Sequence, residues 1–153
     1  VTTKAAGLPA AEFNPEELDH QLYTAEIYPA LVMGIRDYLS KMRFTNAILG
    51  SSGGIDSAVT LALACQALGK EQVRAILMPS PYSTGHSISD AEKLSNNLGN
   101  PYDIVSITNI YESFLAELKP VYKDLPFGLA EENIQARTRG NLLMAIANKF
   151  GYI

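Results

Sequence analysis

The stretch NAILGSSGGIDSAVTLAL, Asn46 to Leu63, decides the fold. Ala47 to Leu49 are apolar and few enough for a strand. From Ser57 to about Leu68 the chain reads as a helix, which Gly69 closes as a left-handed cap residue would. Between them Gly50, Ser51, Ser52, Gly53, Gly54, Ile55 and Asp56 form a turn of mostly small residues with one acid. Such a turn can hold an acyl group for attack by a serine, or it can hold a row of phosphates.

Outward from this stretch the same alternation continues. Before it, Leu18, Leu22, Ile27, Leu31, Ile35 and Leu39 recur at helical spacing from about Glu16 to Met42. After it, Val73 to Met78 reads as a strand stopped by PSP, and Ser89 to Leu98 as a helix ended by Gly99. Tyr102 to Ile107 is a third strand. Asn109 can cap a helix running to Leu118, Pro120 to Gly128 is a loop with two prolines, and Glu131 to Phe150 is a long final helix. Strands and helices alternating at these lengths predict an α/β fold, a parallel sheet flanked by helices. Val1 to Pro15, with Gly7, Pro9 and Pro15, reads as a linker or arm, so the domain occupies residues 16–153.

The 153 residues, 47% apolar, suit one domain with a real core. No apolar run approaches the roughly 18 residues that cross a bilayer, and the first residues lack a signal-peptide pattern, so no membrane is expected. A single cysteine, Cys65, cannot form an internal disulfide and points to a reducing, cytoplasmic setting. A net charge of −4 argues against a nucleic-acid binder, whose affinity comes from neutralising phosphates. It leaves room for a small anionic ligand held by local geometry. His20 and His86 lack metal-ligand partners at useful spacing and read as ordinary surface or loop residues.

Neither of two common phosphate motifs fits the turn. A Walker loop needs lysine where Asp56 stands, and a dinucleotide fingerprint needs a third glycine opening the helix. Gly50-Ser51-Ser52-Gly53-Gly54 does match the nucleophile elbow G-x-S-x-G, which would make Ser52 an acyl-transfer nucleophile. The elbow requires an acid and then a histidine downstream, and the acids before His86 are Asp56, inside the turn, and Glu71. Phosphate binding accounts for more of the residues. Gly53 and Gly54 allow backbone N–H groups to approach an anion, and the helix behind presents its positive end there. Ser52 and Ser57 can add hydroxyl donors. Asp56 is explained if it holds Mg²⁺, which bridges carboxylate and phosphate. The alternative is that Asp56 and Ser57 only cap the helix.

The hexapeptide SGGIDS, Ser52 to Ser57, resembles the signature loop of the ATP pyrophosphatase (PP-loop) superfamily, whose members cleave ATP between its α- and β-phosphates. MPSPYSTGHSISDAEKLSNNLG, Met78 to Gly99, and EENIQARTRGNLLMAIANKFGYI, Glu131 to Ile153, resemble segments of NAD synthetases. IYPALVMGIRDYL, Ile27 to Leu39, is similar to the helix before the loop in their glutamine-dependent branch. The resemblance covers nearly all of Glu26 to Ile153 and implies a Rossmann-like sheet of the adenine nucleotide alpha hydrolase-like kind, here incomplete.

The activity it implies is amidation of deamido-NAD. ATP adenylates the nicotinate carboxylate with release of pyrophosphate, and ammonia from glutamine, or free, displaces AMP to give NAD. A carboxylate is a poor electrophile and the acyl-adenylate supplies the leaving group, so the protein need only position reactants and stabilise charge. By the resemblance Gly50, Ser51, Ser52, Gly53, Gly54, Ile55, Asp56 and Ser57 bind ATP phosphates, with Asp56 on Mg²⁺, and no protein nucleophile is needed. Leu77 and Met78 would lie along adenine or ribose, plain core packing being the alternative for those two side chains. Tyr82 and Ser83 would border the ATP site. Asn133 and Arg137, four apart and so on one helix face that Gly140 completes, would bind deamido-NAD. Ile134, Thr138, Leu142 and Ala145 form an adjoining core stripe, while Arg139 would point elsewhere and pair with Glu132 or Gln135.

Two departures from the family pattern stand out. Ser51 replaces a commonly apolar residue, which should leave the backbone cradle intact. The family also continues beyond GYI, where a strand begins, into a further ATP, metal and substrate segment, and its glutamine-dependent branch carries a preceding glutaminase domain. The chain is therefore expected to be the first half of a synthetase domain, weakly binding or inactive by itself, from a homodimeric parent. The competing readings are a nucleotide-holding module without turnover and a PP-loop relative with another acceptor.

Overall fold

The computed structural model describes residues 20–153. The arm over Val1 to Pro15, the helix start at 16–19 and the His20 side chain lie outside the described residues. Three parallel strands, β1 (Ala47–Gly50), β2 (Val73–Leu77) and β3 (Tyr102–Ile104), form a sheet in the order β1-β2-β3. Ala47 is in register with Val73 and Ala75 with Tyr102. The helices are α1 (His20–Lys41), α2 (Ile55–Leu68), α3 (Gly85–Leu98), α4 (Thr108–Tyr122) and α5 (Leu129–Phe150), with a 3₁₀ turn at Lys70–Gln72.

Period-two alternation along β2 separates two cores. Val73, Ala75 and Leu77 face α2 and α3 and pack with Leu61, Ala64, Cys65 and Ala91. Ile76 and, just past the strand, Met78 face the other way and pack with Ile107, Leu142, Leu143 and Ile146. A sheet buried on both faces needs apolar residues at successive positions, which the sequence AILMP, Ala75 to Pro79, supplies. α1 forms a third layer, packing Val32 on Leu63 and Ala67 of α2. Arg36 Nε donates to the Ala67 carbonyl at 3.1 Å. Of the expected α1 stripe, Leu39 is buried, but Ile27 and Leu31 are about half exposed, because Val32 rather than Leu31 turns towards α2.

Several boundaries differ from the sequence expectation, each for a local reason. α2 starts at Ile55, so Asp56 and Ser57 lie in its first turn, and Gly69 has φ 94° with ψ 141°, outside the left-handed helical well. α3 starts four residues early, because Thr84 accepts from Ser87 N–H at 3.3 Å as its N-cap. The β3 ladder is shorter than expected, although Val105 and Ile107 still donate to Leu77 and Pro79 carbonyls. Pro79 has no N–H to return, so pairing there is one-sided. α4 starts at Thr108 after Ile107, without a side-chain cap; Ser106, just ahead, accepts from Thr108 N–H at 3.2 Å, and Asn109 lies inside the helix. It runs through Pro120 to Tyr122, since one donor missing in the last turn leaves the earlier ladder intact. α5 begins at Leu129, where Glu131 Oε2 accepts from Gly128 N–H at 2.8 Å. After α5, Ile153 exchanges hydrogen bonds with Asn46 and Ile48 on the side of β1 away from β2.

Candidate functional site

That last pairing determines where a ligand fits. α2 and α3 cover one face of the sheet and lead the chain from β1 to β2 to β3. α5 crosses the opposite face and brings the chain back to the free side of β1. The chain thus leaves β1 on one side and rejoins it at Ile153 on the other, and in open α/β sheets ligands occupy the crevice beyond the carboxyl ends of strands where the winding changes direction.

The glycine turn lies there. Ser51 N–H still donates to Ile76 O at 2.9 Å, holding the chain in the sheet as it leaves β1. Gly53 then takes φ +81°, and a Cβ on it would collide with the Ser87 carbonyl at the start of α3. Only glycine meets both demands. Gly50 needs its missing side chain for a different reason, since a Cβ there would stand 3.0 Å from Met78 Cε and 3.4 Å from Leu143 Cδ1. Hydroxyls close the turn. Ser57 Oγ donates to Gly54 O at 2.9 Å, so its single proton is spent, and Ser52 Oγ must donate in the 3.0 Å contact between the two serines. Ser52 Oγ also accepts from Gly54 N–H at 3.2 Å, and Ser52 N–H donates to Ser57 Oγ.

This network removes the acyl-transfer alternative. The Ser52 proton is directed at Ser57, His86 is exposed, and no hydrogen bond joins them. What the turn does offer is the unpaired N–H groups of the first turn of α2, at Ile55, Asp56 and Ser57, at the positive end of the helix. Asp56 is exposed in that turn. Among the described residues no three His, Cys, Asp or Glu gather as a metal cage. A lone exposed carboxylate beside a phosphate cradle fits Mg²⁺, which takes one or two carboxylates and fills its shell with phosphate oxygens and water.

Beside the turn is a cavity of about 520 Å³, within the range of nucleotide-sized sites. Gly50, Ser51 and Ser52 form one wall, Leu77, Met78 and Pro79 the floor, and Ser83, Ser87 and Ile88 another wall. α5 supplies Ala136, Arg139, Gly140 and Leu143. Gly53, Gly54, Ile55, Asp56 and Ser57 continue the turn outside the cavity lining. Tyr82, expected at its border, turns away and sets its ring against Tyr111 and Phe127. Burial pushes the Tyr111 phenol up to about 12, with the Tyr82 side chain adding to the rise, although its hydroxyl forms no hydrogen bond of good geometry among the described residues. Ser51 is buried with its hydroxyl unpaired among the described residues, while its backbone keeps the sheet contact.

On α5 the arrangement corrects the sequence expectation for Arg139. Its Nε donates to Met78 O at 3.2 Å and it lines the cavity, without pairing to Glu132 or Gln135. β1 turns away at Ser51, so the Met78 carbonyl has no strand neighbour and Arg139 takes that place. Asn133 and Arg137 are exposed and outside the lining, with Gly140 on the border between their face and that of the cavity. The i, i+4, i+7 series Ala136, Gly140, Leu143 was the available signal for the inward face. Which of the overlapping faces points inward depends on how α5 seats on the sheet.

Comparison with known proteins agrees with this geometry. A family model described as NAD synthase matches residues 27–153. A glutamine-dependent NAD(+) synthetase from a Synechocystis species is 57% identical over 130 residues, 85% of this chain and 23% of that protein. One from Thermotoga maritima is 46% identical over 128 residues, 84% of this chain and 22% of that protein. Among solved structures, the glutamine-dependent NAD+ synthetase of Acinetobacter baumannii, in complex with ADP, superposes with a TM-score of 0.82 at 47% identity, covering 84% of this chain and 24% of that one. The chain thus spans under a quarter of the length of the curated relatives named above.

Proposed function

The chain belongs to the NAD synthase family, and from that premise we propose that the cavity beyond β1 binds ATP for the amidation of deamido-NAD to NAD. The observation that carries this reading is the position of the cavity, between Gly50 to Ser52, which lead towards α2, and the strand end at Leu77 and Met78, beside the strand whose free edge the chain rejoins at Ile153. The Acinetobacter baumannii relative, described with ADP, supports an adenine nucleotide as the occupant.

On this reading Gly50 to Ser57 hold the phosphates through backbone N–H groups, and Ser52 and Ser57 re-aim hydroxyls that now close the turn. Asp56 would hold Mg²⁺, whose charge would offset that of the phosphates. Leu77 and Met78 pack along the adenine. The oxygen of the nicotinate carboxylate bonds to the α-phosphorus as the bond to pyrophosphate breaks. Ammonia then bonds to the acyl carbon, AMP leaves with the C–O bond pair, and a proton is lost from nitrogen. The guanidinium of Arg139, anchored on Met78 O, places a fixed positive charge where these anions meet. Asn133 and Arg137, on the adjoining face of α5, take the dinucleotide. Glutamine is the proposed nitrogen source, through a glutaminase domain of the kind the glutamine-dependent relatives employ. A homo-oligomer is supported by the exposed apolar row of Val121, Leu125 and Leu129, and a cytoplasmic setting by the free thiol of Cys65. Residues 16–153 would form part of the synthetase domain, with 1–15 as its leading arm.

An NMR titration of the chain with ATP, with and without Mg²⁺, tests the reading because it registers even millimolar affinity. The amides of Ser52 to Ser57, Leu77 and Met78 should shift, and Asp56→Ala should abolish the Mg²⁺-dependent part. No saturable shift at these amides would overturn the nucleotide reading, and a Mg²⁺ effect unchanged in Asp56→Ala would overturn the metal role.

A further inference from the structure

We propose that Tyr82 is a positioning residue for the cavity, tying the loop that helps form one wall to α4 and to the α4–α5 connection. The proposal rests on the nucleotide reading only for what fills the cavity.

That wall is shared between the loop from β2 to α3, which gives Ser83, and the first turn of α3, which gives Ser87 and Ile88. Within the loop Ser83 N–H donates to Ser80 O at 3.0 Å, Ser80 N–H to Ser83 Oγ at 2.9 Å, and Tyr82 N–H to Ser80 Oγ at 3.3 Å. Pro79 and Pro81 add fixed φ angles, so Pro79 to Ser83 forms a closed turn that moves as a piece. Its backbone attachment to the third strand segment is at one residue, where Pro79 O accepts from Ile107 N–H at 2.9 Å and from Ser106 Oγ at 3.4 Å. Apart from its covalent continuation into Thr84 and α3, the outer side of the turn has that one backbone tie, and side chains must supply any other.

Tyr82 supplies the second attachment. Its ring stands 6.1 Å from that of Tyr111 at 80°, the edge-to-face arrangement, and 5.9 Å from Phe127 at 58°. Tyr111 is 1% exposed in the body of α4 and is therefore a fixed anchor. Phe127 belongs to the connection that leads into α5, two residues before its start. The ring itself is 60% exposed and does not line the cavity, so direct ligand contact does not explain its position. The consequence reaches the glycine turn too, since the Ser87 backbone packs on Gly53. A wall displaced at Ser83 and Ser87 would loosen the packing that shapes the phosphate cradle.

Hydrogen exchange on the unliganded chain, in wild type, Tyr82→Ala and Tyr82→Phe, tests the tether without any nucleotide. Tyr82→Ala should raise exchange at Ser80, Ser83 and Leu125 by about tenfold, the scale set by loss of two aromatic contacts, while β1 and β2 amides keep their rates. Tyr82→Phe, which retains the ring, should restore the wild-type pattern. The NMR titration with Mg-ATP should show affinity reduced by Tyr82→Ala and recovered by Tyr82→Phe. Wild-type loop exchange in Tyr82→Ala, or an increase spread equally through β1 and β2, overturns the tether. Faster loop exchange with unchanged affinity overturns its role in positioning the wall. If the wild-type chain takes no nucleotide, the reading of the cavity fails, and the tether is decided by exchange alone.

Discussion

At Gly53 two requirements meet in one residue, a positive φ and the close approach of the Ser87 carbonyl. Gly53→Ala should therefore destabilise the chain by about 1–3 kcal/mol, as left-handed strain at a non-glycine residue does, before any cost of moving α3. Urea denaturation measures it, and a loss below a few tenths of a kcal/mol would show that α3 yields freely. The need for glycine here was legible because four small residues between a strand and a helix leave few other purposes. Arg139 was not legible. Two positions, about 200° of helix rotation, separate the arginine that lines the cavity from the one in solvent, and Arg137 and Arg139 offer the same chemistry to a reader of the sequence. What selects Arg139 is the Met78 carbonyl left unpaired by β1, a partner 61 positions away.

Among the elements, helix starts were the least visible features. α3 starts at Thr84, and Ser106 lies one residue ahead of the Ile107 cap of α4; each hydroxyl accepts from an N–H of the helix that follows, inside runs rich in serine and threonine where several residues could do the same. α5 uses a carboxylate instead. Glu131 accepts from Gly128 N–H and is itself nearly buried, so its loss would leave a helix-end donor without a partner. Glu131→Ala should cost about 1 kcal/mol, the usual value of a cap, while Glu131→Gln keeps an acceptor and most of the stability. Thermal melts of the two variants compare them directly. Equal losses would assign the effect to charge rather than to the hydrogen bond. Because α5 carries Arg139, which lines the cavity, its seating matters to the cavity as well as to stability.

Over the whole molecule, Cys65 is the built-in reporter of integrity. It lies in the α2–β2 core with Leu61 and Val73, and burial pushes its thiol above the usual value. The folded chain therefore holds that proton more tightly than the unfolded chain, so stability falls as pH rises past the ordinary thiol range. A disulfide reagent at pH 8 should label Cys65 at least about a hundredfold more slowly in the folded chain than in urea. Leu61→Ala, which empties a fully buried site, should cost about 2–5 kcal/mol and speed the labelling. Labelling of wild type at the free-thiol rate would mean that the core opens far more readily than its packing indicates.

The sequence by itself determined the α/β class, the three strands and the family, because strand, turn and helix signals are local and SGGIDS sits among them in order. Tertiary structure alone decided which face of α5 looks inward, that Tyr82 leaves the cavity for Tyr111 and Phe127, and that the chain rejoins the free edge of β1 at Ile153. These are contacts between residues far apart in the chain, chosen by how whole helix faces fill the space above the sheet. Periodicity shows that a helix has faces, but only packing against the rest of the molecule selects the one that is buried.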